Sequence, residues 1–256
     1  MPGEAAGMAE RLGSAVRVVG FYCYSAFQLP LVVLTAVLRP GSAFYPAAAA
    51  WARNTLRIFR VRVETRGTEH MQAGRDYVIL SNHRSHFDPL AIVVALGGHE
   101  TRWVAKRELL KVPIFGTTLR VTGQIMVDRN NHEQALRELR ANMGKSGASV
   151  VFFPEGHRAP TTELIPFKKG GAAFAIDADL PVVPVAISGS ERVLRPHTMF
   201  VRAGTIRVLF GEPIDVGLLT TDDRAALTDR VRERIEELLA TVESRPAAAT
   251  GEVASG

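Results

Sequence analysis

Residues 76–97 read DYVILSNHRSHFDPLAIVVALG, and their change of texture decides the fold. Asp76–Ser81 is a short apolar run of strand character, the next residues are polar, and from Asp88 the apolar positions continue to Gly97 as a helix. A strand, a short connection and a helix form the repeating unit of an α/β sheet, and the unit recurs downstream. Strand-like runs fall at Arg102–Ala105, Gln124–Val127, Ser149–Phe153, Val182–Ile187 and Ile206–Phe210. A helix is expected over HEQALRELRANM, with Asn131 as its cap and Glu133–Arg137 as an i,i+4 pair. The last helix opens at Thr220–Asp223 with capping-box spacing and aligns Leu227, Val231, Ile235, Leu238 and Val242 on one face. Strands alternating with helices predict an α/β domain, a mixed β-sheet flanked by helices over residues 61–243. Residues 244–256 (SRPAAATGEVASG) predict a disordered tail.

Upstream the texture is different. Val18–Leu38 are 21 residues without a charge, bracketed by Arg17 and Arg39. An unbroken helix of that length would reach roughly 30 Å, the thickness of a bilayer core. Gly20 and Pro30 interrupt it, Gln28 lies in its middle, and arginines stand on both sides, so it lacks the charge asymmetry of a simple span. A signal peptide is not indicated, because the first ten residues hold Glu4 and Glu10 and no Lys or Arg. Ala43–Arg60, with Phe44, Trp51, Leu56 and Phe59, predicts a second helix. Residues 11–60 therefore read as a two-helix membrane-associating motif dipping into one leaflet, with a buried core helix as the alternative.

Composition bounds what such a chain does. Its 256 residues are enough for one sizeable domain with a small appendage, and 46% apolar against 22% charged residues exclude bulk disorder. A single cysteine, Cys23, excludes an internal disulfide and a Cys-based zinc site. The net charge of +5, carried by arginines with only five lysines, points to an anionic partner: nucleic acid, membrane surface or phosphorylated metabolite.

Candidate chemistry sits on the strand-end loops. His83 and Asp88 are five apart across a loop-to-helix turn, a separation that lets a carboxylate fix one imidazole nitrogen and leave the other to take a proton. Asp88 also reads as a plain helix N-cap. The strand end VFFPEGHR brings Glu155, Gly156 and Arg158, and IMVDR brings Arg129. A His–Asp pair with two arginines suits a phosphate-bearing substrate whose hydroxyl needs activation, although each arginine alone reads as a surface residue.

Other chemistries fall away. Gly144-Lys145-Ser146 lacks the earlier glycine of a phosphate loop, with Leu139 standing in its place. No Gly-x-Ser-x-Gly occurs, and Cys23 lies in the apolar run, poor ground for a thiolate. His83, His86 and Asp88 have no second His/Asp cluster to complete a metal site, so none is expected. Nucleic acid is not expected either, for want of a helix-turn-helix or aromatic-basic interleaving.

Asn82-His83-Arg84-Ser85-His86-Phe87-Asp88 resembles the NHxSxxD block of the glycerolipid acyltransferases, best known as 1-acylglycerol-3-phosphate acyltransferases. Further blocks follow in order: Lys106-Arg107-Glu108-Leu109 with Pro113 and Gly116; Gly123–Arg129; Phe153-Pro154-Glu155-Gly156-His157-Arg158; Pro166–Gly170; Val183-Pro184-Val185. The likeness covers roughly residues 65–190, and His157 departs from the usual Thr or Gly. It implies acyl transfer from acyl-CoA or acyl carrier protein to the sn-2 hydroxyl of a lysophospholipid held in a membrane. His83 would be the base and Asp88 its partner. Arg129, Arg158 and Lys106 would hold the acceptor phosphate, with Glu155, Gly156, Asn82 and Ser85 in support. It implies no cofactor beyond the acyl donor, and a place at the cytoplasmic face of the cell membrane. Alternatives are another acceptor, such as glycerol 3-phosphate, or a non-catalytic lipid-surface module, against which the intact His83–Asp88 pair argues.

Overall fold

Met8–Leu38 form one continuous helix, α1, in a computed structural model that describes residues 7–38, 42–127, 148–158, 163–195, 198 and 200–243. Thirty-one residues rise about 46 Å. Gly20 and Pro30 do not end the helix, contrary to the interruption expected of them. An internal proline costs about 3 kcal/mol, and here packing beyond it outweighs that loss: Val32 and Ala36 are buried against Phe44 and Tyr45. The second helix, α2 (Tyr45–Ile58), follows a 3-10 turn at Ser42–Phe44 and folds back on α1. Trp51 Nε1 donates to Ser25 Oγ at 3.0 Å, and Asn54 Nδ2 donates to Tyr24 Oη at 2.9 Å.

α1 is not a core helix. Only 17% of its apolar span is buried, and Leu12, Val16, Val19, Tyr22, Phe27, Leu34 and Val37 are exposed. By length and composition it suffices to cross a membrane. Its partner is bound into the rest of the protein. Leu56 and Phe59, at the end of α2, lie in one core with Phe87, Ile92 and the sheet, so residues 11–60 and 61–243 share packing.

The sheet is built from β1 (Val61–Arg66), β2 (Val78–Ser81), β3 (Thr101–Lys106), β4 (Ile125–Val127), β5 (Ser149–Phe152), β6 (Val182–Ser188) and β7 (Gly204–Phe210). Their order in space is β1-β7-β6-β2-β5-β3-β4. Five neighbouring strands, β6, β2, β5, β3 and β4, run parallel, and β7 joins β6 antiparallel. β2, β5 and β6 are buried along their whole length, as strands covered on both faces must be, which is why they read as unbroken apolar runs. β1 is missing from the expectation above. It alternates apolar and charged residues, only Val61 is buried, and its period-2 signal is weak.

Four longer described helices follow α2, α3 (Asp88–Ala95), α4 (Phe115–Val121), α5 (Gly170–Ala178) and α6 (Arg224–Glu243), with a single helical turn at Ser190–Val193 between the last two. The Thr220–Asp223 capping box forms as expected, one short 3-10 turn before α6. The buried stripe of α6 is Leu227, Val231, Ile235 and Leu239, so Leu239 and not the expected Leu238 takes the buried place after Ile235. Leu238 is only partly buried beside it. The helix expected at HEQALRELRANM and the tail 244–256 lie outside the described residues.

Candidate active site

Because β6, β2, β5, β3 and β4 point the same way, their carboxyl ends share one edge, the usual place for a site in an α/β sheet. The loops after β2 and β5, neighbours in the sheet, supply most of it. At the end of β2, Asn82 is fully buried and its amide continues the ladder onto β6. Nδ2 donates to the Ile187 carbonyl at 2.9 Å, and the Ile187 N–H donates to Oδ1 at 2.7 Å. This pair fixes where the chain leaves the sheet.

The following turn closes on Asp88, the first residue of α3. Oδ2 of Asp88 receives three N–H groups: His83 Nδ1 at 2.8 Å, the Arg84 backbone at 2.7 Å and the Ser85 backbone at 2.8 Å. Asp88 is fully buried, and these donors replace the water that its Oδ2 has lost. It therefore organises the preceding turn instead of capping its own helix by its side chain. Ser85 anchors that turn sideways, its Oγ donating to the Leu194 carbonyl at 3.0 Å.

With Nδ1 of His83 donating to a carboxylate, Nε2 is left as the basic nitrogen. The imidazole is 18% exposed and stacks on Phe153, with centroids 4.0 Å apart and planes at 14°. Phe153 follows β5 directly; Phe152 beside it is buried in the opposite core layer. Phe153 was not among the expected site residues. The aromatic pair at a strand end, with period-2 alternation, is the signal that one ring is aimed at the loop.

Glu155 is 1% exposed, and its Oε1 accepts the His83 backbone N–H at 2.7 Å. It thus braces the His83 loop from the neighbouring strand end. Burial raises its carboxyl above the ordinary range, against the lowering effect of hydrogen bonds from the His83 and Ile165 backbones and of the Arg84 and His83 charges. Gly156 has φ +78°, and a Cβ there would stand 3.0 Å from Cε and Nζ of Lys168. Lys168, whose N–H donates to the Pro154 carbonyl at 2.9 Å, is therefore a further cation at this loop, quoted in a motif above but not among the expected site residues.

Arg158 is half-buried, and its charge reaches the His86 imidazole. Crowding by the surrounding protein takes part of the solvent from the His86 ring and lowers its pKa, and the charges of Arg158 and His83 lower it further. His86 itself is exposed at the rim. Lys106 is exposed at the carboxyl end of β3, two strands from β2 on the same edge. Arg129 lies outside the described residues, two positions beyond the last residue of β4. Among the described residues, no group of three His, Cys, Asp or Glu could hold a metal ion.

The arrangement is suited to removing a proton from a substrate hydroxyl near cationic side chains. Comparison with known proteins bears on the family of the chain. Residues 62–188 match the model of the Acyltransferase family. Over 251 residues the chain is 33% identical to a 1-acyl-sn-glycerol-3-phosphate acyltransferase of Pseudomonas aeruginosa, covering 89% of this chain and 92% of that one. It is also 33% identical over 178 residues to the 1-acyl-sn-glycerol-3-phosphate acyltransferase alpha of Ovis aries, covering 68% of this chain. The chain spans about three fifths (62%) of the length of that sheep relative. In fold it is similar to the crystal structure of the 1-acyl-sn-glycerophosphate (LPA) acyltransferase of Thermotoga maritima. The TM-score is 0.80 at 21% identity, over 93% of this chain and 100% of that one.

Proposed function

The chain belongs to the glycerolipid acyltransferase family, and on that footing we propose that it acylates the sn-2 hydroxyl of 1-acylglycerol-3-phosphate, giving phosphatidic acid. The acyl donor is acyl-CoA or acyl carrier protein, and the relatives named above are named for this acceptor. The observation that carries the reading is the His83–Asp88 pair, joined through Nδ1 at 2.8 Å.

Nε2 of His83 takes the proton of the sn-2 hydroxyl as that oxygen attacks the thioester carbonyl carbon. Asp88 stabilises the imidazolium that forms. Collapse of the tetrahedral adduct breaks the carbon–sulfur bond, and the departing thiolate recovers the proton from His83. The products are phosphatidic acid and a free thiol, with no cofactor consumed. Arg158 and Lys106 hold the acceptor phosphate, and Arg129 is assigned the same role from its place in the sequence. Glu155, Gly156, Asn82 and Ser85 support the two loops.

Residues 11–60 hold this site at the cytoplasmic face of the membrane, with α1 and α2 embedded in one leaflet. The exposed apolar face of α1 supports this reading, and Arg53, Arg57 and Arg60, exposed on and just after α2, are open to anionic head groups. The test is turnover by the purified protein of 1-acylglycerol-3-phosphate, glycerol 3-phosphate and other lysophospholipids, each with acyl-CoA and with acyl carrier protein. The proposal requires 1-acylglycerol-3-phosphate to have the highest kcat/KM. A preference for glycerol 3-phosphate, or for a lysolipid lacking the phosphate monoester, overturns it.

A further inference from the structure

The segment between β3 and α4 bears no role in the chemistry above, yet it is built in an unusual way. Arg107–Lys111 form a 3-10 turn, and Leu109, Val112 and Ile114 are 37%, 44% and 50% exposed. Three large aliphatic side chains turned to water in six residues make a local apolar protrusion, not scattered surface residues. Nor is the protrusion loose. The Val112 N–H donates to the Leu109 carbonyl at 3.2 Å, and the Gly116 N–H donates to the Val112 carbonyl at 2.7 Å. A Cβ at Gly116 would overlap the backbone of Leu110. Ile114, a β-branched residue, is held at φ +63°, a conformation that persists only where the surroundings impose it.

Its place in the molecule says what covers it. It follows the carboxyl end of β3, so it stands on the site edge of the sheet. It leads into α4, which packs on α1, and Val121 at the end of α4 packs with the Val32, Ala36, Phe44 and Tyr45 cluster. Across 106–120 there are four cations, Lys106, Arg107, Lys111 and Arg120, against one acid, Glu108. Aliphatic tips flanked in sequence by positive charge, leading into a helix that packs on α1, match an anionic lipid surface.

We propose that Leu109, Val112 and Ile114 insert into the same leaflet as α1, forming a second membrane contact at the mouth of the site. The proposal rests on the membrane reading given above, and deepens it: two separated contacts fix the tilt of the sheet edge, so that a lipid acceptor reaches His83 without leaving the leaflet.

The test uses the full chain with Cys23→Ser and single cysteines carrying an environment-sensitive fluorophore. The positions are Val112→Cys, Phe27→Cys on the exposed face of α1, and Leu218→Cys. Leu218 is 99% exposed and follows β7, whose carboxyl end lies at the sheet edge opposite the site. Vesicles of phosphatidylcholine and phosphatidylglycerol carry nitroxide-labelled lipid. The expected result is a blue shift and quenching at 112 and at 27, and neither at 218. Quenching at 27 alone overturns the insertion of the loop while leaving the α1 reading intact. No quenching at either position overturns the membrane reading, and this proposal with it. A companion variant, Leu109→Ser with Val112→Ser, is expected to lose about tenfold in activity on vesicle-borne acceptor. Activity on detergent-dispersed acceptor should hardly change. An equal loss in both would assign these side chains to folding or to donor binding and overturn the proposal.

Discussion

His83, the proposed base, is held by four groups: Asp88 at Nδ1, Phe153 under the ring, Glu155 at its backbone N–H, and the preceding residue Asn82, itself anchored to Ile187. The first of these partners was legible in sequence, because His83 and Asp88 are only five residues apart. Glu155 was expected to brace a loop, but its bond to His83 spans 72 residues and no local pattern announces it. Its raised carboxyl gives a pH test. A carboxyl whose pKa is raised by folding adds stability below its unfolded value and loses it as pH climbs through the raised value. Glu155→Gln keeps an acceptor for the His83 N–H and does not titrate. Thermal unfolding from about pH 4 to pH 8 should therefore show the wild type falling relative to Glu155→Gln as pH rises; a constant difference would contradict the burial argument. Arg158 makes a second test at this scale. Arg158→Ala should raise the acceptor KM about tenfold or more, with Arg158→Lys a partial rescue, since lysine gives the charge without the planar fork. A raised donor KM with an unchanged acceptor KM would move Arg158 to the thioester side.

Among the elements, the strands most readily found were the buried central ones, whose runs of Val and Ile admit little else. β1 stayed hidden because it is an edge strand with half its side chains charged. α1 misled in the other direction: Pro30 and Gly20 are helix breakers by local propensity, and tertiary packing of Val32 and Ala36 overrides them. The junction of β2 and its loop depends on one side chain, Asn82, that completes two hydrogen bonds with Ile187. Asn82→Ala leaves a buried N–H and a buried carbonyl without partners, at about 1–3 kcal/mol apiece. Its urea midpoint should fall accordingly, and kcat should fall with it as the His83 turn loosens. An unchanged midpoint would show that the loop is held without this pair.

For the molecule as a whole, the packing of Leu56 and Phe59 against Phe87 rules out a clean removal of residues 1–60, since truncation would open the core beneath α3. The membrane reading is better tested on the exposed face of α1. Phe27→Glu with Leu34→Glu should keep the unfolding transition and lose co-sedimentation with vesicles. The wild type should stay bound at high salt, because buried apolar area and not charge is the main anchor. Retention of the double variant on vesicles would contradict this. His83 is proposed to drive direct attack of the acceptor hydroxyl on the donor thioester. The most direct test is thiol release from acyl-CoA by the wild type, His83→Ala and His86→Ala, with and without 1-acylglycerol-3-phosphate. Direct attack requires thiol release only with acceptor, one thiol per phosphatidic acid, a fall of about 10²–10⁴-fold in His83→Ala, and near wild-type rates in His86→Ala. A burst of thiol without acceptor, or full activity in His83→Ala, would contradict it.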